Sequence, residues 1–195
     1  MSGFKRARRG RARATFAMTE AGLLRGLLRQ IIELLRDESP ARAESEDPLV
    51  ALLDFSGPVD APEDPVLARL LPDAYRDDDE HSGEFRRFTE RGLRDGKVNQ
   101  ALTMIESLER GGLGVDGEDW EGVAADVEVD LDADEVQAWL RGLTDLRLAL
   151  AERLGVTQDD DAVWEAMSYD DPRAAMHDIY DWLGYLQDSL VRTLR

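Results

Sequence analysis

The stretch VEVDLDADEVQAWLRGLTDLRLALAERLG, residues 127–155, changes its hydrophobic period partway along, and that change points to the fold class. In its first five residues Val127, Val129 and Leu131 alternate with Glu128 and Asp130, the period of two expected of a half-buried strand. Asp132 or Asp134 can then cap a helix. Leu140, Leu143, Leu150 and Leu154 follow as an apolar stripe at helical spacing, and Gly155 ends it.

The helical period recurs outward from this segment. Thr19 can cap a helix from Glu20 to about Arg36 whose polar stripe is Arg25, Arg29, Glu33 and Arg36. The remainder is mostly leucine and isoleucine, which predicts a central core helix. Asp47-Pro48, Asp64-Pro65 and Asp171-Pro172 each place an acid at the N-cap and proline at the first helical position, and the last helix runs nearly to Arg195. Asp159–Asp161 start another short helix. The run Asp77 to Glu80 suits the positive end of a helix dipole. That helix carries Phe85 and Phe88 and is expected to break near Gly96. Its successor carries Val98, Ala101, Leu102, Ile105 and Leu108. Only residues 4–17 match VEVDL in strand character, as a hairpin around Arg9-Gly10. The expected fold is therefore mainly α: a bundle-like helical core with a small antiparallel sheet, made of the N-terminal hairpin plus the strand near 127–131. Residues 1–195 read as one domain with a flexible linker at 37–63 and a loop at 111–126.

Charge is unevenly placed. The chain carries 42 acids against 24 Lys and Arg, a formal net charge of −18, yet RARRGRARA (6–14) packs five arginines into nine residues. So acidic a body repels nucleic-acid phosphates, and any such contact must come from the arginine segment. If Ala7 pairs with Ala12, Arg6, Arg8, Arg11 and Arg13 share one face. Should VEVDL then pair with a hairpin edge, Glu128 and Asp130 would neutralise them. The alternatives are an arm that binds a partner or DNA through those four arginines, and a disordered tail.

With no cysteine, disulfides, thiolate nucleophiles and cysteine-ligated zinc are excluded. No apolar run approaches a membrane span, and a cytoplasmic location is expected. His81 and His177 have no neighbour at metal-ligand spacing, and no serine sits in a Gly-x-Ser-x-Gly elbow. The glycines from 111 to 117 lack the Gly-Lys-Ser/Thr ending of a phosphate loop. Asp130, Asp132 and Asp134 imitate a calcium loop, but Glu135 and Arg141 replace its glycine and its glutamate. No catalytic, cofactor or metal residue is assigned. Arg147 alone breaks its pattern, lying within the apolar stripe. It is expected to be buried in an ion pair, with Asp73, Glu84 and Asp181 as candidate acids.

The runs DPVLARLLPDAY (64–75), EFRRFTERGLRDGK (84–97), AWLRGLTDLRLALAERLG (138–155) and IYDWLGYLQDSL (179–190) carry a resemblance. In their order and spacing the chain resembles an actinobacterial family of AosR-type oxidative-stress transcription regulators, long catalogued as a domain of unknown function. The resemblance implies a non-enzymatic regulator acting through protein contacts, including an RNA polymerase sigma factor, with redox sensing by a cysteine pair. Lacking cysteine, this chain cannot form that disulfide. Genes of the family tend to lie beside a Clp-protease adaptor, so an adaptor role in proteolysis is one alternative and direct DNA binding another. An enzyme with an unrecognised carboxylate site is the third class. No cofactor or membrane contact is expected, nucleic acid is a secondary partner, and a homodimer stays open.

Overall fold

The computed structural model describes residues 2–8, 11–37, 57–75, 77–114, 126–156 and 171–194. Strands β1 (Lys5–Arg6) and β2 (Ala12–Phe16) lead into helix α1 (Met18–Asp37). Helices α2 (Pro65–Leu70) and α3 (Asp79–Arg110) precede β3 (Val127–Leu131), and α4 (Ala133–Leu154) and α5 (Pro172–Thr193) follow it. The fold is mainly α with one three-stranded antiparallel sheet, ordered β1-β2-β3. The helices expected at Asp47-Pro48 and Asp159–Asp161, the Arg9-Gly10 turn, most of the 37–63 linker and most of the 111–126 loop lie outside the described residues.

Side-chain oxygens start the helices where the sequence supplies them. Asp64 accepts from the N–H groups of Val66 and Leu67, Asp78 from that of His81, and Asp171 from that of Arg173. Asp132, of the two candidates, caps α4 in a reciprocal box with Glu135, and Gly155 closes that helix in the left-handed conformation. At α1 the helix begins before Thr19, and the Glu20 carboxylate turns back to the Ala17 N–H at 2.8 Å.

Two further expectations about the helices change. The break near Gly96 is absent, and α3 runs unbroken for 32 residues. A mid-helix glycine costs about 1 kcal/mol relative to alanine, which the packing of α3 against α1 and α4 offsets. The centre of the core is α4 rather than α1. Helix α4 packs against α5, α3, α2, α1 and β3. Helix α1 buries a single face (Ala21, Leu24, Leu28, Ile31, Ile32 and Leu35) and leaves Leu23 exposed. At the α3–α4 crossing Gly142 lies against Met104, where an added Cβ would collide with Sδ.

The sheet's inner face completes the core. Ala12, Ala14 and Phe16 face inward beside Val127, Val129 and Leu131. Phe4 and Phe16 pack on Trp139, whose indole N–H donates to Ser107 Oγ at 2.9 Å. The N-terminus is fastened to α5 where the Phe4 N–H donates to Ser189 Oγ at 2.9 Å.

Candidate interaction surface

The solvent face of the sheet holds the arginine segment. The hairpin register is one residue from the expected one: Arg6 pairs with Ala12 and Lys5 with Arg13. The cause is Phe4. Its ring enters the core, and strict alternation then carries Arg6 to the side of Ala12, at an exposed strand end. The four arginines therefore do not form one row. On the outer face Lys5, Arg13 and Asp130 lie side by side across the three strands.

Asp130 is the hub of this face. Its Oδ1 accepts from Arg11 Nε at 2.6 Å, and its Oδ2 accepts from Arg13 Nη2 at 2.6 Å and Nε at 2.8 Å. These bonds, from Arg13 and then Arg11, hold its carboxyl below the usual carboxylate range. Like charges opposed across a strand pair repel, and the acid on the third strand offsets the Lys5–Arg13 contact. Glu128 falls opposite Thr15 and is exposed, so the register gives it no arginine. Lys5, Arg6 and Arg8 line one open groove of about 1010 Å³ with Arg11, Arg13 and Asp126.

Arg147 is half-buried, and its partners are neutral. It donates to Gln187 Oε1 at 2.7 Å and to the Tyr180 hydroxyl at 3.3 Å, with its guanidinium 5.1 Å from the Tyr180 ring centre. It lies against Gly184, and its Nε is buried with no partner among the described residues. The expected carboxylates are elsewhere: Asp73 pairs with Arg86 at 2.7 Å, Glu84 is exposed, and Asp181 sits 3.6 Å from His177. The face of α5 that meets Arg147 presents Tyr180, Gly184 and Gln187 at spacings of four and three, while Asp181 projects from another side. That spacing inside IYDWLGYLQDSL was a signal for neutral partners.

Two buried charge clusters were not anticipated. On α3, Glu90 bridges Arg86 and Arg94 at 2.6 and 2.7 Å, and all three side chains are at most 5% exposed. Arg86 also donates to the Leu71 carbonyl and Arg94 to the Leu35 carbonyl, both at 3.0 Å, so the cluster joins α1, the end of α2 and α3. The Arg-x3-Glu-x3-Arg spacing was visible in EFRRFTERGLR, but nothing local shows that such a face is buried. Lys97 and Asp145 pair across α3 and α4 at 2.7 Å, and burial pushes the Asp145 carboxyl up despite its lysine.

His81 bonds its own N-cap, Asp78, at 2.7 Å, and no group of potential metal ligands occurs among the described residues. Nor, among them, is any helix long and apolar enough to cross a membrane.

No solved structure matches the chain. It is similar to the oxidative stress regulator AosR of Mycobacterium tuberculosis strain H37Rv, 28% identical over 198 residues that cover 94% of this chain and 82% of the relative. The protein of the same name from Mycobacterium bovis matches to the same extent. The family described as a domain of unknown function, DUF2017, matches from residue 1 to residue 194, so the chain belongs to that family.

Proposed function

We propose that this protein is a non-enzymatic regulator that acts by binding another protein, an RNA polymerase sigma factor, in the cytoplasm, as a single domain. The observation that carries the reading is the similarity, along 94% of the chain, to proteins named oxidative stress regulators. The charge distribution supports a protein partner: outside the N-terminal segment 42 acids face 18 Lys and Arg, a surface suited to a basic partner. Opposite charge of this kind raises the association rate and makes it salt-sensitive. With no cysteine, the trigger is not a thiol.

Direct nucleic-acid binding is the second reading, and the groove containing Lys5, Arg6 and Arg8 favours it. Against it, Arg11 and Arg13 are already held by Asp130. The test is to titrate purified protein with purified sigma factors and with promoter DNA, at low and moderate salt. Saturable binding to a sigma factor, unchanged by mild peroxide, supports the proposal. Binding to DNA alone refutes it in favour of the arginine segment. Capture of Clp components, with no polymerase contact, would instead favour the adaptor role.

A further inference from the structure

In a chain so rich in acid, a cation without an acidic partner is informative. Arg69 on α2 and Arg141 on α4, both exposed, have no hydrogen bond or ion pair among the described residues. Both line one open groove of about 430 Å³ formed by residues of α2, α3 and α4. That volume is within the range of small-molecule sites.

Lys97 and Asp145 also line the groove. Lys97, 19% exposed, spends one of its three donors on Asp145 and has two without a partner among the described residues. Three cations thus line the groove against a single carboxylate, an excess of two positive charges. The walls are apolar where Leu70, Leu93 and Leu148 contribute. On α3 the groove is open because Gly92 and Gly96 have no side chain, and a Cβ added at either would meet nothing within 4 Å.

We propose that this groove binds a phosphate monoester with a compact apolar body. The dianion matches the two excess charges and meets Lys97, Arg69 and Arg141. The apolar body lies over the Gly92–Gly96 gap against Leu93 and Leu148. A carboxylate brings one charge and leaves one cation uncompensated; a bare phosphate leaves the apolar walls wet. The site is separate from the sheet face and does not depend on the partner reading.

The probe is phenyl phosphate, titrated calorimetrically into the full chain, with benzoate as the monoanion control. A short phosphotyrosyl peptide in a parallel titration distinguishes a phosphorylated side chain from a free metabolite as the source, and binding of either supports the site. The expected result is one saturable site, with benzoate weaker. Arg69→Gln combined with Arg141→Gln should weaken it by about tenfold or more, since charge-assisted bonds are lost. Gly96→Leu should fill the groove and abolish binding, with helix content retained. The arginine variant alters only exposed side chains that have no partner among the described residues, so it remains informative if Gly96→Leu misfolds. No saturable binding of either phosphate, or an affinity unchanged by the arginine variant, would overturn the proposal.

Discussion

Replacing Glu90 with alanine should be among the most damaging single changes available outside the apolar core. Glu90 is 2% exposed and is the shared acceptor of two buried guanidinium groups. Their fates then differ. Arg86 retains Asp73 and the Leu71 carbonyl, so its charge stays partly compensated. Arg94 retains only the Leu35 carbonyl among its partners here and becomes a stranded charge. Removing one member of a buried pair costs about 3–5 kcal/mol, a large part of the roughly 5–15 kcal/mol that stabilises a typical domain. At about 2–4 °C per kcal/mol for a chain of this size, the melting temperature should fall by roughly 6–20 °C. Replacing all three by Met, Leu and Met removes the charges but leaves the Leu71 and Leu35 carbonyls without their donors. It should therefore recover only part of the loss. Thermal and urea denaturation of the single and triple variants provides the measurement. A Glu90→Ala melting point within about 2 °C of the parent would refute the reasoning, because it would mean water reaches Arg94 at little cost.

Asp130→Asn should lower stability most at low salt, and acid titration gives the sign. The folded carboxyl lies below its unfolded value, so its contribution is present above the unfolded pKa and lost as pH falls through the folded one. The stability gap between parent and Asp130→Asn should therefore close in that acid window; a gap constant with pH would contradict the pairing. Arg147→Met strands no acid, since its partners are Gln187 and Tyr180, and should cost about 1–2 kcal/mol in denaturant melts rather than the 3–5 of a broken buried pair. A loss in the larger range would restore a carboxylate partner. Gly142→Ala should overpack the α3–α4 crossing against Met104, costing about 1–3 kcal/mol, and Met104→Ala in the same chain should recover part of it.

The elements that sequence reading recovered are those whose signals are local. Alternation in VEVDL and the aspartates before prolines or apolar periods fix β3 and most of the helix starts within a few residues. Where tertiary packing decides, local signals mislead. Gly96 reads as a break because the packing along α3 cannot be seen in its sequence. The hairpin register turns on whether Phe4 or the arginine spacing controls the pairing, and a buried aromatic outweighs exposed charge. Arg147 follows the same pattern. Its polarity amid leucines announces a partner, but only the rotation of α5 determines that the partner is an amide and a hydroxyl. The groove lined by Lys97, Arg69 and Arg141 comes from three helices and leaves no contiguous motif.

The attachment of β2 to β3 also sets an order of events during synthesis. Arg13 and the aspartate that holds it are 117 residues apart, and the Phe4 N–H waits for a serine 185 residues later. At about 5–20 residues per second, translation delivers Asp130 roughly 6–23 s after Arg13. For that interval the nascent chain presents its arginines with neither Asp130 nor the third strand to rest on. Strands β1 and β2 are thus made early and settle late.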